Sequence, residues 1–92
     1  MKIAVKYLAQ LKQAAGRASE VLDVDERCGL QDLVRRLADG RSEALRRLLL
    51  SSAGELHDSI LLFVGEEQVR WEAPRALCDG DVVTVLAPMA GG

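Results

Sequence analysis

One apolar stripe with helical spacing separates two parts of the sequence that carry strand patterns. Its residues, spaced at i, i+3, i+4 and i+7, are Leu30, Leu33, Val34 and Leu37. Asp39 and Gly40 end the run. The chain has 92 residues, enough for one domain with one core, so this helix must cover a sheet built from the segments on either side of it.

The flanking segments predict a mixed sheet of about five strands. The predicted strands are residues 3–8, 20–24, 60–64, 68–71 and 82–87, from alternation or short apolar runs. A short helix over residues 10–15, closed by Gly16, joins the first two strands, and a third helix is predicted around residues 45–49. This order of elements predicts an α+β domain of the β-grasp kind, with the helices on one face and the first and last strands side by side at the centre.

Composition and charge exclude several classes of function. The 12 basic residues are balanced by 14 acidic ones, for a net charge of -2, which argues against nucleic-acid binding. The longest apolar runs, residues 48–50 and 60–64, are far shorter than the roughly 20 residues needed to cross a membrane. The N-terminus alternates charged and apolar residues, unlike a secretory signal. We therefore expect a cytoplasmic protein that binds neither nucleic acid nor membrane.

The cysteines and the histidine do not form a recognisable site. Cys28 and Cys78 are far apart in the sequence with no CxxC motif, and His57 is the only histidine. This pattern supports neither a metal site nor a disulfide, and it predicts two half-buried thiols. A cysteine nucleophile with His57 as its base is chemically possible, but nothing in the sequence brings these residues together.

The predicted sheet has an unusually apolar second face. If residues such as Ile3, Leu62 and Val85 face the helices, alternation places Lys6, Leu8, Leu61, Phe63, Thr84 and Leu86 on the opposite side. Four of these six are large and apolar, which predicts contact with a protein partner, with Leu8, Phe63 and Leu86 as docking candidates. The alternatives are that the sheet tolerates exposed leucines or that the face of the third strand is shifted by one residue.

The last five residues form a slender extension beyond the final strand. They are Pro88, Met89, Ala90, Gly91 and Gly92. Because the two glycines carry no Cβ, the terminal carbonyl carbon is open to attack from either side and the tip can enter a narrow channel. We therefore predict a domain over residues 1–87 and a flexible tail over 88–92, with Gly92 as the reactive residue. The alternative is a frayed, unreactive end.

Taken together, these segments resemble the MoaD family, the small subunit of molybdopterin synthase, within the MoaD/ThiS superfamily of ubiquitin-like sulfur carriers. The segments that carry the resemblance are Tyr7 to Gly16, Leu30 to Leu37, Asp79 to Val82 and Pro88 to Gly92. The chain departs from the family at Gly65, where an asparagine is frequent, and over residues 51–59, a stretch that is longer than usual. The related thiamine-pathway carrier, ThiS, is typically shorter and usually lacks the Ala-Gln-Leu opening helix.

The resemblance implies a chemistry for the tail. An E1-like, MoeB-like enzyme would use ATP to adenylate the Gly92 carboxylate, and sulfide from a persulfide donor would displace AMP to leave a thiocarboxylate. Residues 88–91 would thread this group into the large subunit of molybdopterin synthase (MoaE-like), which holds the cyclic pterin acceptor. The chain itself would bind no cofactor or metal and would not be an enzyme. The alternatives are a carrier for thiamine or another thio-metabolite, a protein modifier, and a plain interaction domain.

Overall fold

The computed structural model describes residues 1–40 and 43–87. In chain order the elements are β1 (Lys2–Ala9), α1 (Gln10–Ala15), β2 (Ser19–Asp23), α2 (Leu30–Gly40), α3 (Glu43–Leu49), β3 (Leu61–Val64), β4 (Glu67–Val69) and β5 (Val82–Ala87). They form a five-stranded sheet in the order β2-β1-β5-β3-β4. Strands β1 and β5 are parallel and the other neighbouring pairs are antiparallel, so the predicted mixed sheet with adjacent first and last strands is confirmed.

The core lies between one face of the sheet and the helices. The strand residues predicted to face the helices, which include Ile3, Tyr7, Leu62 and Val85, are all buried. They belong to one apolar cluster with the stripe of α2 and with Leu45 and Leu49 of α3. The sheet and the helices each bury one apolar side in this cluster. This burial holds the sheet and the helices together as two layers.

The corner between β1 and α1 has a strained backbone. Ala9, the residue before α1, has φ 55° and ψ −131°, a conformation that L-residues other than glycine rarely adopt. Such a residue costs on the order of 1–3 kcal/mol and persists only where its surroundings impose it. At the other end of α1, Gly16 has φ 76° and closes the helix as predicted.

Gly29, the residue before α2, lies close to the backbone of another segment. Gly29 pairs with Ala76 in an isolated bridge, and a Cβ on Gly29 would lie 3.2 Å from the carbonyl oxygen of Arg75. The carboxylate of Asp32 accepts a hydrogen bond from the Gly29 N–H at 3.3 Å. A side chain at this position would therefore meet the Arg75 carbonyl more tightly than an ordinary van der Waals contact.

The hairpin after β3 differs in detail from the prediction. Strand β3 begins at Leu61 and not at Ile60, and the return strand covers Glu67–Val69 and not residues 68–71. Gly65 adopts φ 62°, so the turn closes over Gly65 and Glu66 and leaves Glu67 paired with Val64. Trp71 lies beyond the strand, and its indole N–H donates a hydrogen bond to the carboxylate of Glu55.

The segment after β4 is held against α2. The Gln31 amide donates hydrogen bonds to the carbonyl oxygens of Trp71 at 2.9 Å and Ala73 at 3.1 Å, and its oxygen accepts one from the Arg75 N–H at 3.4 Å. The Arg35 guanidinium lies 5.2 Å from the centre of the Trp71 ring. A groove of about 760 Å³ lies here, and arginines and carboxylates both line it.

Within residues 1–40 and 43–87, no helix is long and apolar enough to cross a membrane.

Candidate functional site

The six residues predicted to face away from the helices lie together on three adjacent strands. We call this set, which comprises Lys6, Leu8, Leu61, Phe63, Thr84 and Leu86, the open face. Leu86 of β5 pairs with Leu8 on one side and with Leu61 on the other. Thr84 pairs likewise with Lys6 and Phe63. The strand register therefore places all three predicted docking residues, Leu8, Phe63 and Leu86, on one continuous surface.

The exposure of these residues agrees with the predicted face. Leu8 is 43% exposed, whereas Leu61, Phe63 and Leu86 are half-buried by one another and by their neighbours. Their neighbours along the strands, Leu62 and Val85, are buried in the core. The alternation predicted for β3 is therefore correct, and the one-residue shift considered from the sequence is excluded.

Sequence reasoning missed an apolar residue of the same face. Val21 of β2 pairs with Ala4 of β1 and is 65% exposed, more than Leu8. Ala4 pairs in turn with Val82 of β5, so an apolar strip continues from the open face to the edge of the sheet. Alternation within residues 20–24 could have identified Val21, because Glu20 and Leu22 occupy the helix side.

The open face ends where the predicted tail begins. Strand β5 ends at Ala87, which pairs with the strained Ala9. Leu86 is thus separated from Pro88 by a single residue. The predicted site residues Pro88, Met89, Ala90, Gly91 and Gly92 lie outside the described residues. A partner seated on the open face would therefore lie directly beside Ala87, the last residue of β5.

The charged residues near this surface lie at the end of the sheet formed by β1 and β2. The ammonium group of Lys2 donates a hydrogen bond to the Asp23 carboxylate at 3.2 Å. This bond, followed by the positive charge of Lys2, lowers the pKa of Asp23 below its ordinary value. Lys6 is exposed on the open face itself. The apolar surface is therefore bordered by charged side chains.

The thiols and the histidine form no catalytic group in the described part of the chain. Cys28 is half-buried as predicted, but Cys78 is exposed, which corrects the prediction for the second thiol, because it lies in the surface turn before β5. Burial, and next the charge of Asp32, raise the pKa of Cys28 and disfavour its nucleophilic thiolate. His57 lies beside α3, in a groove with Arg46 and Arg47. Among the described residues, no cluster of metal-ligating side chains is present.

These features define the class of the protein. A mixed five-stranded sheet with helices on one face is the β-grasp fold, and its solved neighbours are ubiquitin-like proteins. SAMP1 from Haloferax volcanii, a small archaeal modifier protein, is similar with a TM-score of 0.88 and 26% identity over 100% of both chains. A putative molybdopterin converting factor subunit 1 from Pyrococcus furiosus has a TM-score of 0.74 and 27% identity, covering 97% of this chain and 99% of that one.

Sequence comparison assigns the family. The chain matches the ThiS family over residues 5–92 and belongs to it. It is a ubiquitin-like sulfur carrier domain of the ThiS/MoaD type, as the resemblance in sequence predicted. The sulfur carrier protein CysO of Mycobacterium tuberculosis is 43% identical over 44 residues. That alignment spans about half of each protein, 46% of this chain and 47% of CysO.

Proposed function

We propose that this chain is the small subunit of a molybdopterin synthase, which carries sulfur as a thiocarboxylate on Gly92. The observation that supports this role most strongly is the apolar open face, which leads through Leu86 and Ala87 directly to the tail. A carrier needs such a surface, because the partner must hold the domain while the terminal group reacts. The match to the molybdopterin converting factor of Pyrococcus furiosus supports the choice of pathway.

The reaction at Gly92 requires activation by another protein. A carboxylate is a poor acyl donor, because its charge repels nucleophiles and oxide is a very poor leaving group. An E1-like, MoeB-like enzyme would transfer AMP from ATP to the Gly92 carboxylate and release pyrophosphate. The terminal sulfur of a persulfide donor would then attack the adenylate and displace AMP, which forms an acyl disulfide. A second thiol would cleave the S–S bond and leave the thiocarboxylate on Gly92 and a disulfide on the donor.

The tail would deliver this group to a partner's active site. Gly91 and Gly92 have no side chains, so a narrow channel would admit them, while Pro88, Met89 and Ala90 form the lead-in. In the MoaE-like large subunit, the thiocarboxylate would lie beside the cyclic pterin precursor at a high effective concentration. The chain would act as a carrier and not as an enzyme, with ATP and pterin bound by its partners. It would work in the cytoplasm, where those partners act.

The docking step would use Leu8, Phe63 and Leu86. All three side chains lie on one surface, and none belongs to the buried core cluster. Association would bury this apolar surface and fix the direction in which the tail leaves β5. Leu86→Asp should therefore weaken binding to the large subunit more than it lowers the stability of the isolated domain.

The experiment that tests the proposal is intact mass spectrometry after incubation with ATP, a MoeB-like enzyme and a persulfide donor. We expect the mass gain that corresponds to exchange of one oxygen for sulfur. Transfer should then be assayed with the large subunit and the cyclic pterin precursor. Gly91→Val should block transfer while the fold, checked by circular dichroism, is retained. If the Gly91→Val variant carries the thiocarboxylate and transfers its sulfur as fast as the parent protein does, the threading step is contradicted.

Two other functions have specific support. The partial match to CysO favours a carrier that serves another thio-metabolite, and thiamine remains a further possible product. In that case Gly92 would acquire the thiocarboxylate, but its sulfur would not be transferred to the pterin precursor. The similarity to SAMP1 favours a protein modifier joined to its targets through Gly92. That function predicts conjugates of higher mass in cells, which the deletion of Gly91 and Gly92 would abolish.

A further inference from the structure

Lys6 lies among uncharged side chains on the open face. It pairs with Ser19 of β2 on one side and with Thr84 of β5 on the other. Its neighbours along β1 on the same face are Ala4 and Leu8. The diagonal neighbours on the adjacent strands are apolar as well and are Val21, Val82 and Leu86. Lys6 therefore carries the only charge in this group of residues.

The carboxylate of Asp23 lies on the same side of the sheet, but it is distant and already paired. Asp23 is opposite Lys2, which lies four residues from Lys6, roughly 13 Å along the strand. The Lys2 ammonium group donates a hydrogen bond to it at 3.2 Å, and the amino group of Met1 lies 3.8 Å from it. At physiological ionic strength, exposed charges are largely screened beyond about 8 Å. Asp23 therefore does not neutralise Lys6.

The other carboxylate near Lys6 in the sequence belongs to the opposite face. Glu20 pairs with Val5, which is buried in the core. The Glu20 side chain is 6% exposed, and its carboxylate accepts a hydrogen bond from the Tyr7 hydroxyl at 2.6 Å and lies 3.7 Å from Arg17. Within residues 1–40 and 43–87, no carboxylate lies within 4 Å of the Lys6 ammonium group.

A partner that covers the open face must also meet Lys6. The strand register places Lys6 next to Leu8 and diagonal to Leu86, so a surface in contact with both leucines extends over the ammonium group. Removal of an ammonium group from water is strongly unfavourable unless an opposite charge replaces the water. A partner therefore gains from the apolar contact in full only if it places a carboxylate beside Lys6.

A second copy of the chain does not meet this requirement. Among the described strand residues on this side of the sheet, Asp23 is the only acid, and it is paired with Lys2. Two open faces in contact would therefore bury both copies of Lys6 without a free carboxylate. A nucleic acid is no better suited, because polyanions are bound by several cations and Lys6 is surrounded by uncharged side chains.

We propose that Lys6 selects the proteins that dock on the open face, and that it accepts those whose apolar contact surface holds a carboxylate opposite Lys6. The inference rests on the docking step of the proposed function and specifies the chemistry of the partner surface. An aspartate or glutamate of the partner forms an ion pair with Lys6 beside the contact with Leu8. A partner surface that is only apolar is disfavoured, because it leaves the ammonium group buried and unpaired.

The test compares Lys6→Met with Lys2→Met in binding to the large subunit of molybdopterin synthase, measured by isothermal titration calorimetry. Methionine keeps an unbranched side chain and removes the charge, so both variants have the same net charge. Lys2 is the matched control, because it lies on the same face of the same strand and is paired within its own domain. We expect Lys6→Met to weaken binding by roughly thirtyfold or more, because the partner's carboxylate is left unpaired. Lys2→Met should change binding by less than about threefold.

The direction of the change decides the proposal. If the partner surface holds no carboxylate at this position, Lys6→Met removes an unpaired charge and binding becomes tighter. If the ammonium group stays in water, binding does not change. Either result would overturn the proposal. Lys6→Arg keeps the charge and should bind more tightly than Lys6→Met, and an equal loss for both variants would contradict the proposal. Lys6 is exposed, so these variants should fold, which urea unfolding checks.

The outcomes separate this proposal from the carrier function. If the parent protein does not bind the large subunit, both the docking step and the selection by Lys6 are overturned. Parent binding that Lys6→Met does not weaken would remove only the role of Lys6. Binding that depends on Lys6, with no sulfur acquired at Gly92, would remove only the thiocarboxylate mechanism. A parent dimer in sedimentation, with contacts centred on Leu86, would also overturn the selection by Lys6.

Discussion

Leu62 and Phe63 are neighbours on β3, and their side chains lie on opposite faces of the sheet. The loss of stability when each is truncated to alanine therefore shows how deeply that face is buried. Leu62 is 1% exposed, and Leu62→Ala removes buried methyl groups and leaves a cavity in the core. Substitutions of this kind cost about 2–5 kcal/mol. Phe63 is larger but half-buried on the open face. Phe63→Ala leaves no enclosed cavity, so we expect a cost of about 1–1.5 kcal/mol from lost partial burial.

Equilibrium unfolding in urea gives both values. Trp71 is the only tryptophan, and its contacts with Arg35 and Glu55 are lost on unfolding, so its fluorescence reports the transition. In thermal melts, Leu62→Ala should lower Tm by roughly 8–40 °C and Phe63→Ala by about 4–12 °C for a domain of this size. Phenylalanine in a closed core would cost about 3–5 kcal/mol on truncation. A loss for Phe63→Ala as large as that for Leu62→Ala would refute the open face.

Three further predictions concern the body of the domain. Ala9→Gly should raise the free energy of unfolding by up to about 1 kcal/mol in urea, because Ala9 has φ 55°; a decrease would refute the strain. Tyr7→Phe should lower it by about 1.5–3 kcal/mol, since the Glu20 carboxylate loses a donor at 2.6 Å; an unchanged value would contradict this. In a Cys78→Ser background, the rate of Cys28 alkylation should increase with pH around a midpoint higher than that of an unstructured cysteine peptide, because burial raises the pKa of Cys28. A lower midpoint would contradict this.

The architecture could be predicted from the sequence because the apolar positions of each strand and helix match the side that it buries in the core. Alternation in β1 and β5 identified the buried side and the open face, and the stripe of α2 identified the cover of the sheet. The element bounds agreed closely except at β4, where a positive φ at Gly65 shortened the turn. Local propensity could not reveal that Trp71 bonds to Glu55, because that contact depends on two separate loops meeting.

The candidate site was predicted in part. Leu8, Phe63 and Leu86 were identified because period-two alternation alone assigns their face. Alternation alone assigns Val21 to the open side of β2, but its 65% exposure was missed because it depends on the edge position of β2, and strand order is a tertiary property. The role of Gly29 was missed for the same reason, since the carbonyl group that it must accommodate belongs to Arg75, far along the chain.

The measurement that tests the central claim most directly is fragmentation mass spectrometry of the protein after charging by a MoeB-like enzyme with ATP and a persulfide donor. The account predicts that the sulfur mass resides on the C-terminal fragment that contains Gly92, and that the thiols of Cys28 and Cys78 carry none. Sulfur found on either cysteine, with the Gly92 fragment unmodified, would contradict the account.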